Sequence, residues 1–182
     1  MKKLTRIFTL LTLTALLCTL FVGCSSEGSS AKGVLSNFAA TDLDGNAVDQ
    51  SVFAGSKLTM VNVWATYCTP CLAEMPDLAV LADELSAEGV QIMGMVSDIV
   101  SMDWAISESG LALAKDIVAE TGADYLHIVP GESLYNLLNQ ITAVPTTFFV
   151  DANGVQVGNV YVGSRSYDDW KQIINDTLAL LP

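Results

Sequence analysis

Two cysteines separated by two residues are the side chains in this sequence best suited to chemistry. Cys68 and Cys71 lie in the stretch Trp-Ala-Thr-Tyr-Cys-Thr-Pro-Cys-Leu-Ala-Glu-Met-Pro, which runs from residue 64 to residue 76. At this spacing one thiol can attack a mixed disulfide formed on the other, because less than one helical turn separates them. The pattern therefore indicates a dithiol that exchanges electrons with disulfides.

The segments around the dithiol predict that it lies between a buried strand and a helix. Residues 58–64 are apolar and rich in β-branched side chains, which is typical of a buried strand. Apolar residues then recur at helical spacing over residues 69–87. Cys68 would lie at the start of this helix, where free backbone N–H groups and the helix dipole stabilise a thiolate. Pro70 suits the first turn, because it lacks an N–H group and its φ angle is already helical.

Two other roles for a Cys-x-x-Cys pair are less well supported by the sequence. A zinc site requires about four ligands, but the sequence has no second Cys-x-x-Cys pair. Its only histidine, His127, lies in a separate apolar run, where a hydrogen-bonded core histidine is expected. A purely structural disulfide across so short a loop would remove little chain entropy from the unfolded state. Redox chemistry is the favoured interpretation, and neither a metal nor a cofactor is predicted.

The start of the chain predicts export and attachment to a membrane. A basic beginning is followed by an apolar run over residues 7–22, which is typical of a secretion signal and falls short of the roughly 20 residues of a membrane span. The run ends in Leu-Phe-Val-Gly-Cys, which resembles a bacterial lipobox, although Phe21 is unusual there. We therefore expect a lipoprotein signal peptide over residues 1–23, lipid on Cys24, and a flexible Ser/Gly-rich tether over residues 24–33.

The charge of the remaining chain argues against nucleic-acid partners. Of the 8 Lys and Arg residues, three lie in the first 23 positions, whereas all 20 Asp and Glu residues follow. The chain after the signal therefore carries five basic and 20 acidic residues, a net charge of −15. Such a charge disfavours nucleic acid and acidic partners and leaves no polybasic patch for a membrane surface. Residues 34–182 are long enough for one domain with an apolar core.

The segments on either side of the dithiol predict an α/β domain. A hairpin around an Asp-Gly turn is expected near residues 37–48, and a second central strand follows at residues 90–96. The later predictions are a loop over residues 97–110, a helix over 111–120, a strand over 125–129, a short helix over 132–139, a hairpin of strands over 146–150 and 155–162, and a last helix from residue 166 to about residue 181. Since strands alternate with helices, the central strands should pair in parallel, and the last two antiparallel.

The order of these elements, with Val-Pro-Thr before the last hairpin, resembles the thioredoxin fold. Within that fold, the chain is most similar to the extracytoplasmic TlpA/ResA thiol-disulfide oxidoreductases, from about residue 34 to its end. The residues that carry the similarity are Asn-Val-Trp-Ala-Thr-Tyr-Cys at 62–68, Cys-Leu-Ala-Glu-Met-Pro at 71–76, Asp-Leu-Asp-Gly at 42–45 and Ala-Val-Pro-Thr-Thr-Phe at 143–148. The resemblance implies a thioredoxin-like fold with a central mixed sheet, flanking helices and an N-terminal β-hairpin extension.

The resemblance also implies roles for individual residues around the dithiol. Cys68 matches the exposed nucleophile of the family, and Cys71 matches its buried resolving thiol. Pro145 matches a cis-proline that packs opposite the dithiol, and cis bonds are accessible at modest cost only before proline. The backbone of Val144 would there bind an extended segment of the substrate. Trp64 is expected to form a wall of the substrate site.

Four positions near the dithiol set this chain apart from parts of the wider family. Asn62 stands where general thioredoxins carry a buried aspartate that serves proton transfer to the resolving cysteine. Glu74 takes the place of the glutamate that TlpA/ResA-type proteins use, and it lies on the same helix face as Cys71. We expect it to accept the proton of Cys71 and to tune both thiol pKa values. Leu72 replaces a common basic residue, which should leave the first thiol less acidic, and Tyr67 replaces the usual tryptophan beside the substrate.

The predicted function is that of a lipid-anchored disulfide reductase on the outer face of the cytoplasmic membrane. It would reduce protein disulfides, be re-reduced by a membrane thiol-disulfide transporter, and, by the resemblance, serve apocytochrome c as one class of client. A disulfide-introducing oxidase is an alternative, although the sequence lacks the large helical insertion of DsbA-like proteins. A copper-binding assembly factor would use Cys-x-x-x-Cys and a distant histidine, and a peroxidase would carry its cysteine in a different motif.

Overall fold

The computed structural model describes residues 33–182, so the predicted signal peptide, Cys24 and the tether before Gly33 lie outside the described residues. The strands are β1 Ala39–Asp42, β2 Ala47–Asp49, β3 Leu58–Trp64, β4 Val90–Val96, β5 Leu126–Pro130, β6 Thr146–Asp151 and β7 Gln156–Val162. The α-helices are α1 Thr69–Leu85, α2 Glu108–Thr121, α3 Tyr135–Leu138 and α4 Tyr167–Leu178. None of the helices in this part of the chain is long and apolar enough to cross a membrane.

All seven strands form one mixed sheet in the order β2-β1-β5-β4-β3-β6-β7. The central strand β4 pairs in parallel with β3 and with β5, whereas the remaining pairs are antiparallel. The N-terminal hairpin of β1 and β2 joins the same sheet through β5, and so it extends the sheet instead of forming a separate layer. The predicted thioredoxin-like architecture is confirmed.

Strand β3 positions the site because it is buried along its whole length between two apolar layers. Side chains alternate between the faces of a strand, so Asn62 and Trp64 lie on one face while Val61 and Val63 lie on the other. On the first face, β3 packs with α1, α2 and α4 in two clusters that contain Trp64, Ala114 and Trp170. The second face carries the remaining cluster.

Helix α1 begins at the dithiol and is shaped by its own sequence. Cys68 is the residue before the first helical turn, and Pro70 lies inside that turn. Pro76 lies within the helix, where it cannot donate the usual backbone hydrogen bond. The helix continues as a short 3₁₀ turn and stops at Gly89, whose φ of 86° is favourable only without a side chain. The helix predicted over residues 69–87 is therefore confirmed, apart from this change of helix type near its end.

Two predicted helix boundaries differ from the structure by about three residues. Helix α2 begins at Glu108 instead of residue 111, because the Ser107 hydroxyl accepts a hydrogen bond of 3.1 Å from the Gly110 N–H and starts the helix despite that glycine. Helix α4 ends at Leu178, about three residues before its predicted end, and a turn follows. Neither difference moves a residue of the dithiol segment.

Strand β7 forms one edge of the sheet and is interrupted by a bulge. Residues 158–160 of β7 oppose the single residue Phe148 of β6, and Gly158 adopts a φ of 67°. Val160 in the bulge and Val162 beyond it remain about half exposed. A bulge of this kind bends the strand and increases its local twist.

Candidate active site

Cys68 and Cys71 form a disulfide at the junction of β3 and α1. The Cys71 N–H points at the Cys68 sulfur, at an N···Sγ distance of 3.2 Å, and the Cys68 carbonyl accepts the first helical hydrogen bond from Leu72. Cys68 thus occupies the position where a helix leaves backbone N–H groups available for an anion. When the disulfide is reduced, this geometry stabilises the Cys68 thiolate.

The two sulfurs differ in access to solvent, and the difference assigns their order of attack. Cys68 keeps 5% of its surface exposed in the disulfide form, whereas Cys71 is completely buried. Cys68 is thus less open than the predicted exposed nucleophile, but it is the cysteine that a substrate can reach. Tyr67, directly before it, is 76% exposed.

A network of hydrogen bonds holds the loop before the dithiol, and no pattern in the sequence identified its key residue, Asp98. Asp98 accepts hydrogen bonds from the Thr66 N–H at 3.0 Å and from the Thr66 hydroxyl at 2.7 Å. The Ser97 N–H and hydroxyl both donate to the Trp64 carbonyl at 2.9 Å. The end of β4 thereby fixes the backbone that presents Cys68.

The peptide bond between Val144 and Pro145 is cis, as predicted. The Pro145 carbonyl accepts a hydrogen bond of 2.8 Å from Gly163, but within residues 33–182 the Val144 N–H and carbonyl make no backbone hydrogen bond. Val144 packs against the cluster that contains both cysteines, and with Tyr67 it lines a cavity of about 230 Å³. The backbone of Val144 is therefore available to pair with an extended peptide near Cys68.

Trp64 and His127 form a buried pair behind the dithiol. Trp64 is fully buried in the cluster of the two cysteines, and its indole N–H donates to His127 Nδ1 at 3.1 Å. Since Nδ1 accepts, the proton of the neutral ring is on Nε2, which donates to the Ala123 carbonyl at 2.9 Å. Burial lowers the pKa of His127 to about 4. As predicted, His127 is a hydrogen-bonded core histidine. Trp64 has none of its surface exposed, so it supports the dithiol from behind and does not form the expected wall of the substrate site.

Glu74 lies inside the protein, one helical turn after Cys71 on the same helix. Only 2% of its surface is exposed, so it is not a surface glutamate. Its Oε1 accepts from Asn62 Nδ2 at 2.9 Å, and its Oε2 accepts from the Arg165 N–H at 3.1 Å and from the Trp170 indole N–H at 3.0 Å. Burial raises the pKa of Glu74, while these donors and the Arg165 charge oppose the rise.

The sequence predicted Glu74 but not the residues that surround its carboxylate. Asn62 was recognised only as a missing aspartate, although alternation along β3 places it on the same face as Trp64. Arg165 and Trp170 come from the segment around the start of α4, and no local pattern shows where α4 packs. Within residues 33–182, no group of three or more His, Cys, Asp or Glu side chains is arranged to hold a metal ion.

A Cys-x-x-Cys disulfide at a strand–helix junction, with a cis-proline loop packed on the same cluster, defines a protein of the thioredoxin-fold class. Residues 33–157 match the model described as the AhpC/TSA family, and the chain belongs to that family. The family name does not refer to thiol-disulfide exchange, whereas the names of several similar proteins do.

Two curated relatives illustrate this similarity. The chain is 30% identical over 131 residues to the thiol:disulfide interchange protein DsbE of Vibrio cholerae, which covers 71% of this chain and 62% of that protein. It is 32% identical over 135 residues to the thiol-disulfide oxidoreductase ResA of Oceanobacillus iheyensis, with 71% and 64% covered. The chain thus spans less than two thirds of the length of these relatives.

A solved structure that is similar to this chain also carries a name that refers to thiol-disulfide interchange. A crystal structure of a thiol:disulfide interchange protein of the thioredoxin family from Chlorobium tepidum TLS matches with a TM-score of 0.62 at 28% identity. The match covers 78% of this chain and 93% of the other. The predicted resemblance to ResA-type thiol-disulfide oxidoreductases is confirmed by these three comparisons.

Proposed function

We propose that this protein is a thiol-disulfide oxidoreductase that reduces disulfides of extracytoplasmic proteins. The observation that carries the proposal is the position of Cys68. It caps α1, and it is the reachable cysteine of the pair. Val144, whose N–H and carbonyl make no backbone hydrogen bond within residues 33–182, packs against the cluster that contains Cys68. The names of the similar proteins support the same chemistry.

The reaction proceeds through two exchanges of sulfur–sulfur bonds. The Cys68 thiolate attacks a substrate disulfide, so a mixed disulfide forms while one substrate sulfur leaves as a thiolate. Cys71 then loses its proton and attacks the Cys68 sulfur, which breaks the mixed disulfide and releases the second substrate thiolate. The substrate gains two electrons, and the protein ends with the Cys68–Cys71 disulfide. Glu74, buried on the helix face of Cys71 with a raised pKa, accepts the proton of Cys71.

A trapping experiment tests the proposed order of attack. Cys71→Ser should accumulate a mixed disulfide between Cys68 and its substrate, because nothing remains to resolve it. Cys68→Ser is the matched control and should trap nothing. Non-reducing gels and mass spectrometry of the adducts identify the attached cysteine, and adducts recovered through Cys71 would reverse the assignment.

The reduction potential of the pair decides between the reductase and the alternative oxidase. We expect a value near or below that of thioredoxin, about −270 mV, for a protein that reduces other proteins. Equilibration of the purified protein with glutathione mixtures measures this value. A potential close to the strongly oxidising limit of about −120 mV would show that the protein introduces disulfides instead.

The proposal includes anchoring at the membrane through lipid on Cys24 and re-reduction by a membrane electron donor. Its support is the lipobox-like sequence before Cys24 and the length of the following Ser/Gly-rich segment. A role in the maturation of c-type cytochromes is proposed only by similarity to ResA-type proteins.

Substitution of the proposed lipid site tests the anchor. Cys24→Ala should abolish incorporation of labelled fatty acid and should detach the protein from membranes, or leave it as an unprocessed precursor. Cys18→Ala, within the predicted signal peptide, is the control and should be labelled like the parent. Equal labelling of the Cys24→Ala variant in cells would contradict the lipoprotein proposal.

A further inference from the structure

The two oxygens of the Glu74 carboxylate have partners of different kinds. Oε2 accepts two hydrogen bonds, from the Arg165 backbone N–H and from the Trp170 indole N–H. Both groups are donors only, and neither can accept a hydrogen bond from a protonated oxygen. A proton on Oε2 would therefore face two N–H groups, whereas Oε2 as a carbonyl oxygen keeps both hydrogen bonds.

Oε1 has one partner, Asn62, whose side chain can act in either direction. In the structure, Asn62 Nδ2 donates to Glu74 Oε1 at 2.9 Å and to Thr147 Oγ1 at 3.0 Å. Rotation of the amide by half a turn would bring Oδ1 into this place, as an acceptor for both neighbours. The hydroxyl of Thr147 can donate as readily as it accepts, so it fits both orientations.

The oxygen of the Asn62 amide has no hydrogen-bond partner in the described part of the chain. Oδ1 is buried and accepts no hydrogen bond from the residues that the structure describes. A buried polar atom in this situation is unfavourable, and in most proteins it is paired. The amide is therefore held in its present orientation by Nδ2 alone, through its bonds to Glu74 and Thr147.

We propose that Asn62 is a positioning residue for Glu74, which directs the proton to Oε1 and turns its amide over when that proton arrives. With Glu74 ionised, Nδ2 donates to the carboxylate, as in the structure. With Glu74 protonated, the Oε1–H group donates to Oδ1, while Thr147 donates to the same oxygen. The inference deepens the proposed function, because a role of Asn62 in catalysis rests on the reductase reaction proposed above.

In the exchange reaction, the proton leaves the Cys71 sulfur as that sulfur attacks the mixed disulfide, and it goes to Oε1 of Glu74. No electrons pass through Glu74 or Asn62. The amide rotation supplies an acceptor for the new O–H group at a site where Glu74 and Asn62 are almost completely buried. Asn62 thereby serves a carboxylate that titrates, although it does not titrate itself.

Within residues 33–182, three charged or titratable groups lie around Glu74: Arg165, Cys71 and Tyr125. Arg165 contributes a positive charge that favours the carboxylate, while Cys71 precedes Glu74 on α1. Tyr125, before β5, is within electrostatic range, and its pKa is raised by burial and, to a smaller extent, by the Glu74 charge. Asn62 on β3 and Thr147 on β6 are neutral. Burial raises the pKa of Glu74 above its ordinary value.

Nuclear magnetic resonance of the full-length protein in detergent tests the inference directly. Three signals are followed across pH: the Glu74 carboxyl carbon, the Asn62 side-chain amide, and the nuclear Overhauser effect between that amide and the Thr147 methyl group. We expect the first two to titrate with one midpoint, and the third to weaken severalfold on the acid side. The side-chain amide of the exposed Asn159 is the internal control and should not follow this midpoint.

Glu74→Gln gives a second measurement that does not depend on pH. Its amide imitates protonated Glu74, since its oxygen can accept from Trp170 while its nitrogen donates to Asn62 Oδ1. We expect this variant to hold Asn62 in the rotated orientation at every pH. The nuclear Overhauser effect between the Asn62 amide and the Thr147 methyl group should therefore be weak throughout. Asn62→Leu should raise the Glu74 pKa by roughly one unit, because a donor to the carboxylate is lost.

Two results would overturn the inference. One is a nuclear Overhauser effect between the Asn62 amide and the Thr147 methyl group that stays strong in the acid form of the parent and in Glu74→Gln. The other is a Trp170 indole N–H signal that shifts with the Glu74 midpoint while Asn62 stays fixed, since that would place the proton on Oε2. Both concern protonation alone. Failure of the proposed reductase activity would instead appear in the trapping and potential measurements, with the amide rotation intact.

Discussion

Glu74 provides the sharpest kinetic test at the scale of single residues. It can accept a proton only when ionised, so release of the mixed disulfide should accelerate as pH rises through its raised pKa. Glu74→Gln removes this titration, and we expect release to slow by about 10²–10⁴-fold while formation of the mixed disulfide changes little. Stopped-flow measurement of both steps across pH distinguishes them.

The control for this experiment lies on the same helix. Asp77→Asn also removes one carboxylate from α1, but Asp77 makes no hydrogen bond to Asn62, Arg165 or Trp170. It should leave the pH dependence of release unchanged. If Glu74→Gln has the same release rates as the parent at every pH, the proton of Cys71 leaves through water and Glu74 serves only the structure.

For single residues, the sequence predicted best those positions that depend on residues close by in the chain. The helix start at Cys68 and the position of Glu74 follow from spacing along one segment. The partner Asn62 was within reach of the same reasoning, because strand alternation and helix periodicity place both residues between β3 and α1. Trp170 was not, since its contact with Glu74 spans 96 positions of the chain.

At the scale of elements, the pairing of β4 with β5 depends on a position without a side chain. Gly94 lies opposite His127, and a Cβ atom at Gly94 would come within 2.1 Å of His127 Nδ1. That nitrogen is the acceptor for the Trp64 indole. We expect Gly94→Ala to lower the free energy of unfolding by about 1–3 kcal/mol, because the ring must move within a packed core.

Urea unfolding followed by tryptophan fluorescence measures the effect of Gly94→Ala. Gly55→Ala is a suitable control, because a Cβ atom there meets nothing within 4 Å. Its free energy of unfolding should stay within about 0.5 kcal/mol of the parent. Equal stability of both variants would mean that His127 can move without cost and that its contact with Trp64 is not specific.

The boundaries of elements were predicted well where a residue itself ends the element. Strands β3 and β4 have the predicted limits, and Gly89 stops the helical segment after α1. The start of α2 was placed late, because Gly110 argued against a helix while the capping hydroxyl of Ser107 outweighed it. Burial of α4 against α1 is a tertiary property, which the pattern of α4 alone does not contain.

For the molecule as a whole, His127 should make the fold sensitive to mild acid. Its pKa is about 4 in the folded protein, against an ordinary value of 6.5, because burial disfavours the charged ring. The unfolded chain therefore binds a proton more readily, and stability falls as pH decreases from 6.5 towards 4. Between pH 7 and pH 5, His127 should account for a loss of about 2 kcal/mol.

Comparison of His127→Gln with the parent isolates this loss. The variant should be less stable at pH 7, where the hydrogen bond to Trp64 is altered, but should lose less on acidification. Glu74 acts in the opposite direction, because a raised carboxyl pKa stabilises the fold more as pH falls, and it is common to both proteins. Parallel curves of stability against pH for the two proteins would refute the assignment to His127.

The bulge in β7 bears on what happens when several copies of the protein meet. An edge strand offers unpaired N–H and C=O groups, and a straight apolar edge can recruit the edge of a second molecule into one continuous sheet. Here the edge carries Val160 and Val162, but the left-handed backbone at Gly158 breaks the line of regularly spaced groups. A second strand could align with only a few residues before losing register. The bulge therefore disfavours the edge-to-edge association of two molecules through β7.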